Sequence, residues 1–523
     1  MLLGANGSTP ARRFDPLWAA IRASAAPLIA AVVALAVYVR TLLPGVAFGD
    51  WAEMQTVPHV LGISHPTGYP TYLIVAYVAQ LIPIGSVAFR GNLLSAVLMS
   101  AAIGVMVLIA QRLGVRPWIA MASGLALAFS GTIWESALIA EVNGLHLLLI
   151  ALILHRALVW AETPSTRELA IGGSLVGLSL GNHLLTVMVA PLIVAFVVWS
   201  GRGVIRRRPV ILLVPIAAAA AALLVYLYIP IRAAQAPVLA YNHPDTLDRF
   251  VELVSGAQFR EKFGFLQPSG PGRLIDDVPA LASLIVERST IFLPIAGLVG
   301  IALLLRARPA VGALLAGVVL VGLYVYSNYD QLEHYLLVPL LGLAVAGGAA
   351  LESLARAVPR RSVNVDGIAS GRVVAAIWAV VAVALLLGNW QVVDRSADRR
   401  GDAYIDQVFD VLPPDAAILS YWHASTPLWY GQHVDGRRRD VLILDDSNIV
   451  NDGWGTREDA IAALVCARPV FIIRPVESEL DPTRARFTLR RFATIAVGAQ
   501  GASTIVRGPL HEVVPDARSC PPG

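Results

Sequence analysis

Long apolar runs, broken by short polar segments, fill the chain between residues 25 and 389. A membrane-spanning helix needs about 20 predominantly apolar residues. Eleven stretches are candidates: 25–43, 92–110, 117–133, 139–159, 168–181, 184–200, 209–230, 287–305, 309–326, 335–352 and 373–389. The fifth is short and meets the sixth at Gly181-Asn182-His183, the kind of break found where backbone lines a cavity. A further apolar stretch, 69–83, is also short, and counting it as a span would invert every later loop. It reads as a helix lying in, or dipping into, the outer interface. Past residue 390 the pattern changes. Strand-like runs (Ala416–Ser420, Val441–Leu444, Pro469–Ile473, Ala493–Val497) alternate with helical periodicity such as Arg457–Ala467, which predicts a small α/β domain.

The arginines orient these spans. With the N-terminus in the cytoplasm, the inner segments hold Arg12, Arg13 and Arg22; Arg112 and Arg116; Arg156 and Arg167; Arg202 and Arg206 to Arg208; Arg306 and Arg308; and Arg356, Arg360, Arg361 and Arg372. The short outer loops hold few basic residues, so the positive-inside rule is met throughout. This predicts a cytoplasmic segment 1–24, a transmembrane domain 25–389 with outer segments 44–91 and 231–286, and an extracytoplasmic α/β domain 390–523. The first apolar run carries no cleavage signal and is expected to stay as a span. The expected location is a bacterial plasma membrane.

Composition agrees. The 523 residues are 56% hydrophobic and 15% charged, against about 25% charged in soluble domains. The formal net charge is +4, and its basic residues are spread between spans, a topology signal rather than a nucleic-acid footprint. The two cysteines, Cys466 and Cys520, form no zinc-ligand pattern; in an oxidising compartment they can pair. No Asp-x-Asp motif is present, so a divalent metal is not indicated, although Asp50 and Glu53 could hold an ion, and no cofactor is expected.

The ionisable residues beside the spans fall on one side. Asp50, Glu53, His59 and His65 follow the first span; Glu135 and Glu141 flank the third and fourth; Asn182 and His183 sit at the break; Arg232 ends the seventh; Asp330, Glu333 and His334 form a later outer turn. Charges at a membrane are costly and mark functional candidates. Each also has a plainer reading. Asp50 and Glu53 can be a helix cap and its capping-box partner, His65-Pro66 a turn, Glu141 a helix start, His183 the partner of carbonyls freed at a kink, and Arg232 a snorkelling side chain. Asp330 and His334 can be a solvated turn. Asp445-Asp446 read as a strand end, and Trp422, His423, Trp429 and Tyr430 as packing rather than a glycan surface.

The runs Gly49-Asp50-Trp51-Ala52-Glu53, Leu61-Gly62-Ile63-Ser64-His65-Pro66-Thr67-Gly68-Tyr69-Pro70 and Phe89-Arg90-Gly91-Asn92-Leu93-Leu94-Ser95 resemble the opening of a family of polytopic glycosyltransferases. This former domain of unknown function includes the vertebrate O-mannosyltransferase of plexin-type receptors. Trp134-Glu135, Ala140-Glu141-Val142, Gly177 to His183 and Tyr228 to Ala233 add to the resemblance, which covers residues 25–260 well and the later spans loosely. Family members usually show Asp-Ser-Gly-Glu and His-Pro-Pro-Gly-Tyr-Pro. Here Trp51-Ala52 stands between the acids, and Thr67 replaces the second proline.

The resemblance implies the GT-C fold, a polyprenyl-phosphate sugar as donor with mannose the first guess, and a protein, glycan or lipid hydroxyl as acceptor. It also implies a base in the first outer loop. An inverting transfer needs a carboxylate to take the acceptor's proton, a role expected of Asp50 with Glu53 beside it. The leaving phosphate needs cationic or hydrogen-bond donors, for which Arg232 and His183, then His65, are candidates; Tyr69, Glu141, Asn182, Asp330 and His334 complete the expected substrate site. Two rivals are a flippase or transporter and a non-catalytic cell-envelope scaffold. Transporters place charges near the midplane and carry internal repeats, neither of which is seen in the sequence.

Overall fold

A computed structural model describes residues 15–258, 272–328, 333–357, 367–496, 507–515 and 520. Asp330 lies outside the described residues. Each of the eleven predicted stretches falls on helix, but the helices differ in length. Six are long and apolar enough to cross a membrane: Val87–Arg112, Asn143–Glu162, Pro209–Ala233, Pro309–Asn328, Glu333–Ala357 and Gly371–Val393. A seventh results if Asp276–Ser289 and Phe292–Ala307, bent by 112° to one another, count as one span. Shorter apolar helices are Ala25–Thr41, Pro117–Ala128 and Thr186–Ser200.

Two predicted boundaries are corrected. The stretch 117–133 is broken: the helix from Pro117 ends at Ala128, and a separate short helix, Gly131–Ser136, follows. The stretch 287–305 begins too early, because residues up to Ser289 belong to the preceding, sharply bent helix. The apolar stretch at 69–83 is an eleven-residue helix, Pro70–Gln80, too short to cross. Proline at its first position is tolerated because that amide has no intrahelical partner.

Close packing uses small residues, as expected where apolar lipid gives no hydrophobic drive between helices. Gly300 lies so close to the carbonyl of Ala346 that a Cβ would sit 1.8 Å from it, which lets Phe292–Ala307 run against Leu337–Ala357.

The tail, entered from the helix Gly367–Val393, forms a five-stranded sheet of β1 (Ala417–Ser420), β2 (Leu442–Asp445), β3 (Val470–Ile473), β4 (Thr488–Ala496) and β5 (Arg507–Val514). The order is β2-β1-β3-β5-β4, with β1 parallel to β2 and β3, and β5 antiparallel to β3 and β4. Helix Trp422–His433 links β1 to β2, and helix Arg457–Leu464 leads to β3 behind a capping box of Thr456 and Asp459. Cys466 and Cys520 are disulfide-bonded, with Cα atoms 5.6 Å apart.

The tail rests on the first loop. Phe48 stacks on His423 at 5.1 Å, the hydroxyl of Tyr430 accepts the Ala88 N–H at 3.0 Å, and Asp402 accepts the Val46 N–H at 3.4 Å. Phe48, Ala52 and Ala88 are packed into one core with Tyr404, Phe409 and Tyr430 of the tail.

Candidate active site

The first loop is built around buried amides. Asn92, at the start of the helix Val87–Arg112, accepts from the Gln55 side chain and the Ala140 amide, each at 2.8 Å, and donates to the Leu43 carbonyl at 2.8 Å. One fully buried side chain thus fastens the loop to the helix Val87–Arg112 and to the segment before the helix Asn143–Glu162. Arg90 donates to the carbonyls of Gln80, Ile84 and Gly85 and closes the end of the helix Pro70–Gln80. These contacts give the Arg90-Gly91-Asn92 motif a structural role.

Gly49, at φ 59°, turns the chain into the helix Asp50–Thr56. The backbone conformation favours glycine, and a Cβ would also meet the His423 ring at 3.0 Å. The two acids three residues apart are placed in opposite surroundings. The Asp50 side chain is 53% exposed. That of Glu53 is 2% exposed and bonded to His65 twice, through the backbone N–H at 2.8 Å and through ring Nδ1. The capping-box reading is overturned: the helix cap is Gly49, and no side chain caps it.

Burial pushes both members of the Glu53–His65 pair toward their neutral forms. For His65 the Glu53 and Asp50 carboxylates outweigh burial and raise the imidazole to about 10, so the pair keeps a proton through neutral pH. The far side of the ring, Nε2, lies 3.9 Å from Asp50 Oδ2 and 3.2 Å from the Tyr69 hydroxyl. Asp50 Oδ1 accepts from the indole N–H of Trp422 at 2.5 Å.

Tyr69 connects this acid end to a second group. Its ring is 5.1 Å from that of His65 and 6.2 Å from that of His183, which in turn lies 4.9 Å from His146. His146, His183 and His334 line one small pocket of about 30 Å³, with Asn143, Met188 and Val325 among its other walls. Asn182 is buried beside it and donates to the Val142 carbonyl at 3.2 Å. Glu141 is half-buried, its carboxylate accepting the Val142 N–H at 2.8 Å.

Arg232 is placed differently from the expectation. Its Nε donates to the Leu61 carbonyl at 2.6 Å and its Nη1 to Gln235, so it ties the end of the helix Tyr228–Ala233 to the first loop. The backbone bridge between Ile63 and Ala240 fastens the same two segments. Glu135 and Glu333 join Arg288 and Arg395 in an ion-pair network instead of entering the site. Among the described residues, no group of three or more His, Cys, Asp or Glu side chains has the arrangement to hold a metal ion.

Sequence reasoning missed His146 and assigned Trp422 to packing. His146 had a signal, as an ionisable residue inside an apolar helix, one turn from Asn143. Trp422 stands 372 residues from the acid it touches, and nothing local to either residue announces that contact.

These helices, the acid-bearing first loop and the appended α/β tail make a polytopic membrane protein of the GT-C fold. The fold matches that of ArnT from Cupriavidus metallidurans, with a TM-score of 0.58 to its undecaprenyl-phosphate-bound structure and 0.55 to its apo structure. Each match is 14% identical and covers 95% of this chain and 99% of that one. The Archaeoglobus fulgidus oligosaccharyltransferase, solved with zinc and sulfate, matches at TM-score 0.53 and 14% identity, over 86% of this chain and 68% of that one.

The sequence relationship is narrower in family. Residues 50–204 match the model of the protein O-mannosyl-transferase TMEM260 N-terminal domain. The mouse protein O-mannosyl-transferase TMEM260 is 26% identical over 476 residues, 85% of this chain and 65% of the relative's length. That of Dictyostelium discoideum is 29% identical over 122 residues, 23% of this chain and 15% of that protein. This chain is thus related to the TMEM260 family, although it spans less than two thirds of the length of either relative. Both organisms are eukaryotes and lend no support to a bacterial origin.

Proposed function

We propose that the protein is a membrane glycosyltransferase that moves a monosaccharide, mannose first, from a polyprenyl-phosphate carrier to a hydroxyl acceptor with inversion. The observation that carries this reading is the asymmetric acid pair. One carboxylate is open to a substrate, and the other is buried against a histidine beside the first. The relationship to protein O-mannosyl-transferases and the likeness to a fold solved with undecaprenyl phosphate support it.

In this account Asp50 Oδ2 takes the acceptor's proton as the acceptor oxygen bonds the anomeric carbon and the carbon–phosphate oxygen bond breaks. Glu53 holds His65, and His65 and Tyr69 hold the ground beside Asp50. The leaving phosphate is met on the histidine-pocket side, with His183 foremost; Arg232 frames the loop. No resident cofactor is proposed, and the absence of an Asp-x-Asp motif argues against a divalent metal in particular. The acceptor is a protein, glycan or lipid. The arginine distribution supports eleven spans with the site, the segments 44–91 and 231–286 and the tail 390–523 outside the cytoplasm.

The test is incubation of purified protein with radiolabelled polyprenyl-phosphate mannose. Release or transfer of labelled mannose is expected. Intact donor after prolonged incubation, or movement of the lipid across a bilayer with no cleavage, would overturn the reading in favour of a scaffold or a flippase.

A further inference from the structure

The tail domain hydrogen-bonds the exposed acid through Trp422, the first residue of the helix after β1. Its ring is met edge-on by three aromatic rings from three parts of the chain: His65 of the first loop at 5.9 Å and 82°, Tyr241 of the segment after Ala233 at 5.7 Å and 80°, and Trp429 of its own helix at 5.5 Å and 82°. Edge-to-face packing of this kind fixes a ring plane, and Trp429 is itself buried. The platform beneath is docked by the Phe48–His423 stack and the Tyr430–Ala88 hydrogen bond. The direction of the indole N–H is therefore set before any substrate arrives, and it points at Asp50 Oδ1.

We propose that Trp422 is a positioning residue of the transferase site. By holding Asp50 Oδ1 it fixes the carboxylate's rotation and presents Oδ2, on the His65 side, to the acceptor hydroxyl. The tail is then part of the reaction centre and more than an appended domain. An exposed aspartate has two free side-chain torsions, and a base works at full rate only when its oxygen is held in line with the proton it takes. Gly49 adjoins His423 within the same contact, so the tail and the start of the acid-bearing helix form one unit. The proposal rests on Asp50 acting as the base.

The test uses the full-length protein in lipid nanodiscs, with undecaprenyl-phosphate mannose labelled in the sugar and release of mannose to water as the readout. Trp422 is replaced by benzothienylalanine, which keeps the bicyclic outline and lacks the N–H; Trp422→Phe repeats the test in a natural chain. The expected result is a roughly tenfold lower kcat, the scale of one hydrogen bond to a charged group, with donor KM and Tm unchanged. In an Asp50→Asn background the same replacement is expected to change the residual kcat by less than about twofold, because coupled groups are not additive. Equal losses in both backgrounds, or a lowered Tm that accounts for the loss, would make Trp422 a packing residue and overturn the proposal. Wild-type kcat in both Trp422 variants while Asp50→Asn is impaired would overturn it and leave the base in place. Wild-type kcat in Asp50→Asn would remove the base assignment and the proposal with it.

Discussion

Asp50 and Glu53 in the first loop, and Asp445 and Asp446 at the end of β2, are both acid pairs close in sequence and near aromatic side chains. In the tail pair neither carboxylate is left open, Asp446 being ion-paired and Asp445 buried. Asp446 is held by Arg474 at 2.8 Å and Arg457 at 3.4 Å. Asp445 is 1% exposed and accepts the Ser447 N–H at 2.8 Å. In the loop pair only Glu53 is committed. Asp50 stays open, with one oxygen held by Trp422 and the other near a histidine that carries a proton. Proximity of two acids is therefore not the sign of chemistry. What separates the regions is whether one acid is left with an unused oxygen facing solvent while its neighbour absorbs the structural demands.

The largest expected effect breaks that asymmetry. Asp50→Asn keeps shape and removes basicity, and should lower turnover by about 10²–10⁴-fold with Tm unchanged, as read by mannose release and thermal unfolding. Glu53→Gln should do the reverse. It removes the charge from a buried bonded pair and should destabilise the protein by about 2 kcal/mol, with a smaller loss of turnover than Asp50→Asn. Nearly unchanged stability would contradict the buried pairing. Arg474→Met in the tail pair should cost about 1–3 kcal/mol through the lost hydrogen bond to Asp446, which keeps only its longer contact with Arg457, with turnover of the folded protein untouched. His183→Ala should weaken donor affinity more than Arg232→Ala, whose guanidinium is engaged with Leu61 and Gln235; titration with labelled donor decides the order.

The smallest effect is in pH. The folded His65 value is raised above its ordinary 6.5 to about 10. Its contribution to stability is thus fully present below about 6.5 and is lost as pH rises through about 10. Wild-type Tm should fall across that window more steeply than that of His65→Gln. Parallel curves would show that His65 does not hold the extra proton.

The helices of the apolar region were legible because apolar runs are a local signal. Their breaks at Phe129-Ser130 and Thr290-Ile291 were not, because short helices joined at an angle have the same composition as one long helix. In the tail, strands near β1 to β4 were visible from their runs, whereas β5 was not named; it begins at Arg507-Gly508-Pro509 and lacks a clean apolar alternation. The acids were legible from a motif, but the division of labour between them was not. It depends on His65 reaching back twelve residues to Glu53 and on Trp422, which stands 372 residues along the chain from the acid it touches. Arg232 looked like a free cation at a span end because sequence does not record the Leu61 carbonyl beside it.

The most direct measurement of the central claim is the position of a bound lipid-linked sugar. In a structure with an uncleaved polyprenyl-phosphate mannose, the account predicts the sugar over Asp50 beneath Trp422, with the phosphate toward His183. A sugar seated at the ends of β1 to β3 in the tail, or a phosphate far from the His146–His183–His334 pocket with no part of the donor near Asp50, would contradict it.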